Sequence, residues 1–235
     1  MHKISYILFL LIILLAAFLR LYRISEYMTF LGDEGRDVLV AKRMIVDRKF
    51  TLLGPITSVG SIYMGPAYYY LMTPFLLIWG MDPVGPSVMV ALFAVATVAL
   101  IYKFCREFIN PYAGIISAFL YATSPLTIIY GRSSWNPNVV PFFGLAVIYG
   151  LAKTVVKGQF RWLAASGLAL GILLQLHYVT LLFIPVIAAC LALIRFKIPR
   201  KYYFYAALTF LLTYSPRHLS SIYFHIPDSL DGQPF

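Results

Sequence analysis

Long apolar stretches are the feature that most limits what this chain of 235 residues can fold into. Hydrophobic residues make up 61% of the chain, charged residues make up only 12%, and the mean hydropathy is +0.81. One soluble core cannot bury that much apolar surface, so the composition predicts a protein that crosses a lipid bilayer several times. Seven stretches are candidate spans: residues 4–19, 87–102, 113–130, 139–152, 162–176, 179–194 and 202–214.

Two apolar segments need a separate interpretation. Residues 4–19 follow a lysine, as in a secretory signal peptide, but no small-x-small cleavage site comes after them, so we interpret them as an uncleaved anchor. Residues 65–80 contain two prolines, three consecutive tyrosines and Trp79. That composition is typical of a membrane–water interface, and we interpret this segment as interfacial or re-entrant.

Basic residues set the expected orientation of the spans. The chain has 19 Lys and Arg against 9 Asp and Glu, and in a membrane protein such an excess follows topology rather than nucleic-acid binding. If residues 65–80 do not span, the amino terminus is cytoplasmic, and only Arg132 and Arg217 lie in short outer segments. Ten basic residues are then cytoplasmic: Lys3, Lys103, Arg106, Lys153, Lys157, Arg161, Arg195, Lys197, Arg200 and Lys201.

This topology places three polar segments on the extracytoplasmic side. The first is a long loop over residues 22–86, which we expect to contain helices beside the membrane. The second covers residues 132–138, and the third is a tight turn at His177 and Tyr178. The three segments face one compartment and are candidates to form one site within a single membrane domain over residues 1–235, although the sequence does not show that they touch.

The first loop concentrates charge in the run Gly32-Asp33-Glu34-Gly35-Arg36-Asp37. Acids beside a cation suit deprotonation of an acceptor and neutralisation of an anionic group. The alternative is structural, because Asp33 precedes a stripe of Val38, Ala41 and Ile45 that is typical of a helix, and Asp is a favoured N-cap. The two roles are compatible, and the pattern alone does not separate them.

The other outer segments add candidate binding residues. Arg132 suits a bidentate contact with a lipid phosphate, or it simply reaches the membrane surface as many arginines do. Trp135, Asn136 and Asn138 suit sugar binding, but Trp at an interface and Asn-Pro in a turn are ordinary features. His177 ends an apolar run, where a polar residue marks either a site or a structural hydrogen bond.

Four segments carry a family resemblance: Leu31-Gly32-Asp33-Glu34, Gly65-Pro66-Ala67-Tyr68-Tyr69-Tyr70-Leu71, Ile129-Tyr130-Gly131-Arg132-Ser133-Ser134-Trp135 and Gly171-Ile172-Leu173-Leu174-Gln175-Leu176-His177. As an ordered set they resemble the GT-C glycosyltransferases, in the protein O-mannosyltransferase and aminoarabinose-transferase-like branch. The resemblance implies an all-α integral membrane enzyme with about seven transmembrane helices, in the plasma membrane if the source is prokaryotic. Such an enzyme moves a sugar from a polyprenyl-phosphate carrier to a protein, lipid or glycan acceptor on the extracytoplasmic side.

The resemblance also implies roles for individual residues. Asp33 is the candidate catalytic base that activates the acceptor, and Glu34 is its catalytic neighbour. Arg132 and His177 are candidates to hold the carrier phosphate, with His177 standing where many relatives have Lys. The other candidate substrate-binding residues are Arg36, Tyr68, Tyr69, Trp135, Asn136 and Asn138.

Some alternatives stay open. Members of this branch continue through more spans, so the resemblance suggests a fragment or a truncated product that ends at residues 231–235. Too few carboxylates converge to predict a metal site, although a divalent cation would suit phosphate departure. The rival functions are a transporter or lipid flippase and a noncatalytic assembly subunit. Acids gathered in one outer loop, rather than at the bilayer midplane, favour surface chemistry over transport.

Overall fold

The computed structural model describes residues 2–57, 63–192 and 198–223, and for residues 2, 3 and 215–223 it describes the backbone alone. Within these ranges the chain forms eleven α-helices, two short 3₁₀ helices and no strand, which confirms the predicted all-α fold. The α-helices are α1 (His2–Leu21), α2 (Ile24–Tyr27), α3 (Gly32–Val46), α4 (Ala67–Ile78), α5 (Val84–Phe108), α6 (Pro111–Thr123), α7 (Pro125–Tyr130), α8 (Val140–Lys157), α9 (Trp162–Leu176), α10 (Phe183–Ala192) and α11 (Arg200–Tyr223). The 3₁₀ helices are Asn136–Val139 and Tyr178–Leu182.

Three helical stretches in the described residues are long and apolar enough to cross a membrane. They contain 18 to 25 residues, which at 1.5 Å per residue extend about 27 to 38 Å and match the hydrocarbon layer. The protein is therefore an integral membrane protein, and the count of seven spans stays a prediction. The three stretches are Ile4–Leu21, Val84–Phe108 and Asn136–Lys157, and the shorter apolar helices are Ala67–Ile78, Trp162–Leu176 and Tyr178–Ala192.

The candidate span over residues 113–130 is divided into α6 and α7 just before Pro125. Pro125 lacks the N–H that would donate to the Tyr121 carbonyl one turn earlier, so a regular helix cannot continue through it. The Tyr121 carbonyl instead accepts hydrogen bonds from the Thr127 hydroxyl at 2.6 Å and the Arg20 guanidinium at 3.3 Å. Arg20, fully buried in α1, thereby joins the first helix to this break.

Residues 65–80 form α4, which packs into the interior of the bundle. Tyr68, Met72 and Leu76 lie four residues apart on one face of α4 and are fully buried. The same helix contacts α3, α5 and α9. Contacts within the protein therefore account for part of its apolar character, and its interfacial or re-entrant position in the membrane stays a prediction.

The main hydrophobic core includes α3, which belongs to the first loop. Val38, Ala41 and Met44 are buried in this core together with residues of α4, α5, α8 and α9, and Ile45 is only partly buried. The buried face of α3 therefore continues at Met44 and not, as the sequence predicted, at Ile45. Residues three and four apart share one helical face, and Met44 lies three residues after Ala41. Burying each large apolar side chain contributes about 1.5–3 kcal/mol, so these contacts fix α3 as a wall of the bundle.

The residues used to predict the topology are only partly described. Glu107, the one acid expected on the cytoplasmic side, pairs with Lys153 and accepts a 2.7 Å hydrogen bond from the Tyr149 hydroxyl, so it joins α5 to α8. Arg195, Lys197 and residues 231–235 lie outside the described residues, and the side chains of Lys3 and Arg217 are not described either.

Candidate active site

The amino-terminal end of α3 places the acids of the first loop. Leu31 is the N-cap residue, without a side-chain cap hydrogen bond, and the Glu34 carboxylate accepts the Leu31 N–H at 3.1 Å. The interpretation of Asp33 as the N-cap is therefore wrong. Asp33 lies in the first turn with 53% of its side chain exposed, where the helix dipole still favours a negative charge.

A cavity of about 310 Å³ lies beside this end of α3. Its wall is formed by the first loop, the second loop and the turn that follows α9, so the three segments predicted to face one compartment meet at one site. Met64, in the first loop, and Tyr178 also contribute to the wall. Five of the predicted site residues line the cavity: Asp33, Arg36, Trp135, Asn136 and His177.

Arg36, on this wall, joins the carboxylate of Asp33 on the wall to that of Asp37 behind it. Its Nη1 donates to Asp33 Oδ1 at 2.9 Å, while its Nε and Nη2 donate to Asp37 Oδ1 at 2.9 and 2.8 Å. We call Asp33, Arg36 and Asp37 the charged wall. Its two ion pairs differ in exposure, because the Asp33 side chain is 53% exposed and the Asp37 side chain is fully buried.

Asp37 is the buried member of the charged wall. The Tyr69 hydroxyl of α4 donates to Asp37 Oδ1 at 3.3 Å, and within the described residues Oδ2 is buried without a hydrogen-bond partner. Burial raises the pKa of Asp37 to about 6, although the guanidinium of Arg36 acts in the opposite direction. Asp37 itself does not line the cavity.

Two hydrogen bonds tie the second loop to α3 and α4, and a third lies within the loop. The Ser133 hydroxyl donates to Glu34 Oε1 at 2.6 Å, and the Tyr68 hydroxyl donates to the Ser134 carbonyl. Asn138 Nδ2 donates to the Ser133 carbonyl at 2.9 Å and holds the loop on itself. Glu34 and Tyr68 are buried and lie outside the cavity wall, so these contacts position the loop.

The turn after α9 is fixed from both sides. Asn136 Nδ2 donates to the Leu176 carbonyl, and His177 Nδ1 accepts the Val179 N–H at 3.3 Å. The imidazole of His177 stacks on Tyr178 with ring centroids 4.5 Å apart. Burial lowers the pKa of His177, so the ring is neutral at pH 7, and the contact at Nδ1 assigns its proton to Nε2.

Arg132 lies away from the cavity. Its Nη2 donates to the Leu19 carbonyl at the end of α1, and its guanidinium carbon lies 5.0 Å from the ring centroid of Tyr27. The adjacent Gly131 packs against the buried Arg20. The structure therefore groups Arg132 with α1 and α2, apart from the charged wall.

No individual role was assigned to Asp37 or Ser133 from the sequence, although both contribute to the site. Asp37 stood in the charged run, but the run does not indicate that it is the buried anchor of Arg36. A signal existed in the spacing of Asp37 and Ala41, four residues apart, which places Asp37 on the buried face of α3. Ser133 bonds to Glu34, which lies 99 positions away, so no pattern in the sequence near Ser133 indicates this contact.

No group of three or more His, Cys, Asp or Glu side chains that could hold a metal ion occurs in the part of the chain that the structure describes. The acids of the charged wall are instead occupied by Arg36.

Comparison with known proteins identifies the family. Residues 64–219, about two thirds of the chain, match the family model described as dolichyl-phosphate-mannose-protein mannosyltransferase. The matched range contains Trp135, Asn136 and His177, whereas Asp33 and Arg36 precede it. No curated protein matches the chain. The family match covers more than half of the chain, which therefore belongs to the dolichyl-phosphate-mannose-protein mannosyltransferase family of GT-C membrane glycosyltransferases.

Proposed function

We propose that this protein transfers a sugar from a polyprenyl-phosphate carrier to an acceptor hydroxyl or amine in the cavity beside α3. The observation that carries the proposal is the meeting of Asp33, Arg36, Trp135 and His177 on one cavity wall. They provide a base, a cation, an aromatic face and a neutral imidazole, which are groups that transfer from a lipid phosphate requires. Membership of the family supports a lipid-linked donor.

Asp33 is the proposed base. Among the described residues its hydrogen bond is the one from Arg36 to Oδ1, so Oδ2 is left to take a proton. The acceptor atom attacks the anomeric carbon, and the bond from that carbon to the phosphate oxygen breaks. The acceptor proton passes to Asp33, and the electron pair of the broken bond stays on the polyprenyl phosphate, so the reaction is one displacement with inversion.

Arg36 and His177 are the proposed phosphate contacts. A guanidinium has five N–H donors, and Arg36 uses three of them on Asp33 and Asp37, which leaves two for phosphate oxygens. His177 can add the N–H of Nε2. Arg132, a candidate for the same role from the sequence, does not line the cavity. We therefore propose Arg36 as the main contact of the carrier phosphate, with His177 as the second.

The remaining predicted residues are proposed to hold the sugar or the walls around it. Trp135 offers an aromatic face on which the apolar side of a sugar ring can stack, and Asn136 lies next to it on the cavity wall. Glu34 is proposed to help Asp33 by fixing the first turn of α3 to the second loop. Tyr68, Tyr69 and Asn138 are proposed as positioning residues through the hydrogen bonds they donate.

The proposed side of the reaction is extracytoplasmic. The three segments that form the cavity are the ones for which the distribution of basic residues predicts an outer location. A site that opens on that side meets donors whose sugar has already been moved across the membrane on its lipid carrier. The acceptor and the sugar are the parts of the proposal that the experiment below identifies.

The test is sugar transfer by membranes that contain the wild-type protein or Asp33→Asn at matched abundance. Radiolabelled polyprenyl-phosphate sugars serve as donors, with mannose first because the family description names it. Asp47→Asn is the matched control, because it removes one acidic charge from the exposed carboxy-terminal end of the same helix. General-base catalysis typically contributes 10²–10⁴-fold, so we expect Asp33→Asn to lose at least about 100-fold in kcat and the control to keep its rate.

Two results would remove the proposal. Equal transfer by wild type and Asp33→Asn would exclude Asp33 as the base. Movement of the intact lipid-linked sugar across proteoliposome membranes, with no transfer of any donor in the panel, would instead favour the rival flippase function.

A further inference from the structure

We propose that Asp37 is the positioning residue that holds the Arg36 guanidinium in the cavity wall, where it meets the donor phosphate. The inference rests on the proposed function, because it needs a phosphate at Arg36. It assigns a role to a buried acid that does not line the cavity and that the chemistry of transfer does not use directly.

The geometry of α3 makes this contact a specific one. Neighbouring residues on an α-helix point about 100° apart, so the side chains of Arg36 and Asp37 do not meet by default. The guanidinium nevertheless turns back and places both Nε and Nη2 within 2.9 Å of Asp37 Oδ1. Two donors on one acceptor fix the plane of the guanidinium, and Nη1 is thereby directed to Asp33 on the opposite side.

The two ion pairs of Arg36 are not equivalent as anchors. The pair with Asp33 is half exposed, and exposed pairs contribute little because water competes for both partners. Asp33 also loses its charge when it takes the acceptor proton, which weakens its hold on Arg36. Asp37 is fully buried and cannot exchange its partner for water, so it is the contact that persists through the reaction.

Asp37 is itself held by α4. The Tyr69 hydroxyl donates to the same Oδ1 atom, and Tyr69 is buried in the main core. This links Arg36 through Asp37 to a helix whose inner face is fully packed. Burial of the carboxylate with Oδ2 unpartnered in the described part of the chain is unfavourable, and the contact with Arg36 offsets that cost.

Kinetics of Asp37→Asn test the inference. Asn keeps the shape of Asp and an acceptor oxygen but removes the charge that holds Arg36. We expect the KM for the polyprenyl-phosphate sugar to rise about tenfold, with kcat changed less than threefold, because a loosened phosphate contact weakens binding of the donor. Asp47→Asn is the control and keeps the wild-type KM.

The pH profile gives a readout that a merely structural role would not move. The titratable groups that face Asp37 from α3 and α4 are Arg36, Asp33, Glu34, Tyr68 and Tyr69. Protonation of Asp37 releases Arg36, so the donor KM of the wild type rises as the pH falls through about 6, the raised pKa of this carboxyl. Asp37→Asn lacks that rise.

Each negative result has a separate meaning. If Arg36→Gln raises the donor KM and Asp37→Asn leaves both the KM and its pH dependence at wild-type values, the inference fails and the proposed function stands. Activity of Asp33→Asn, measured in parallel, decides the proposed function independently. Should Asp37→Asn fail to accumulate, Tyr69→Phe removes one hydrogen bond to the same oxygen, and a twofold to threefold rise in KM is expected. An unchanged KM in Tyr69→Phe then overturns the inference.

Discussion

Two arginines of this molecule, Arg36 on a cavity wall and Arg20 in the protein interior, are used in opposite ways. Arg36 is bound by the carboxylates of Asp33 and Asp37 and lies on a cavity wall. Arg20 is fully buried in α1, and its guanidinium donates to backbone carbonyls, including that of Ala122 at 3.0 Å, and to the Thr127 hydroxyl at 3.1 Å. The comparison teaches that the partners of an arginine and its exposure together indicate whether it can bind a ligand.

The physical reason is the number of guanidinium N–H donors that remain available to a ligand at each arginine. Arg20 is fully buried, and its terminal nitrogens donate to carbonyls beside the helix break and to the Thr127 hydroxyl, so these contacts hold it in place. The carboxylates at Arg36 accept three of the five N–H donors of its guanidinium and leave two on a residue that lines the cavity. Arg132 resembles Arg20, because its guanidinium donates to the Leu19 carbonyl and lies over the ring of Tyr27.

The largest expected effect separates Arg36 from Arg132. We expect Arg36→Gln to lower kcat/KM for the lipid-linked donor about 10³-fold, because it removes the charged donor nearest the departing phosphate. Arg132→Gln should change it less than fivefold per folded molecule and mainly lower the melting temperature. Steady-state transfer with a titrated donor measures both. A larger loss in Arg132→Gln than in Arg36→Gln would place the phosphate at the α1 side and break the comparison.

Stability against pH gives the next largest effect. The native pKa of Asp37, about 6, lies above its unfolded value of 3.8, so the folded protein binds the proton more tightly than the unfolded chain. Stability from this group is therefore greatest below pH 4, falls by about 3 kcal/mol as the pH rises to about 6, and is constant above that. Melting in detergent from pH 4 to 7 measures it.

Asp37→Asn should flatten that pH dependence, while Asp47→Asn keeps it. The comparison uses the difference between each variant and the wild type, because other groups contribute equally to both and cancel. A wild-type slope retained in Asp37→Asn would mean that another group titrates in this range and that Asp37 is charged throughout.

The sequence predicted the class of fold and the place of the site better than the contacts within it. Apolar stretches and basic residues indicated a helical membrane protein, and the charged run at residues 32–37 indicated the wall of the cavity. These are local patterns, and hydropathy and charge report them directly. Pro125 is visible in the sequence as a helix breaker, whereas hydropathy alone presents residues 113–130 as one continuous span.

Contacts across the chain account for what the sequence did not predict. The N-cap of α3 is Leu31, not Asp33, because the Glu34 carboxylate accepts the free Leu31 N–H and the helix begins two residues earlier than an Asp33 cap would place it. Arg132 meets Leu19 across 113 positions, and no pattern near Arg132 indicates that partner. The role of each acid or arginine at this site depends on the partner with which it bonds. Partners such as Leu19 and Arg132 lie far apart in the chain and meet only when the helices pack, so the sequence does not indicate them.

Two glycines, Gly131 beside Arg20 and Gly32 as its control, test how tightly the Arg20 region is packed. A Cβ added at Gly131 would lie 2.6 Å from the Thr127 carbonyl oxygen and 3.1 Å from Arg20 Nε, whereas at Gly32 it would meet nothing within 4 Å. We expect Gly131→Ala to destabilise the fold by about 2 kcal/mol through overpacking, and Gly32→Ala to leave stability unchanged or raise it slightly. Thermal unfolding of both variants measures this. Equal stability would show that the Arg20 region can adjust.

The smallest expected effect concerns the hydrogen bond that joins the two parts of the molecule. Ser133 follows Arg132 in the chain, and its hydroxyl donates to Glu34 Oε1 in α3 at 2.6 Å, with both residues buried. A double-mutant cycle of Glu34→Gln and Ser133→Ala should give a coupling free energy of about 1 kcal/mol in unfolding. Glu26→Gln, in an exposed pair with Arg23, is the control and should show no coupling to Ser133→Ala.

The same cycle decides between the two roles open to Glu34. If Glu34 positions the second loop, Glu34→Gln and Ser133→Ala should each lower transfer only a few fold, and the double variant should be no worse than the poorer single one, because both remove the same contact. If Glu34 takes part in the chemistry, Glu34→Gln should approach the loss seen in Asp33→Asn while Ser133→Ala stays active. That second outcome would make Glu34 a catalytic residue and not a positioning residue. Because Glu34 is buried outside the cavity wall, α3 or the second loop would then have to move to expose its carboxylate to the cavity.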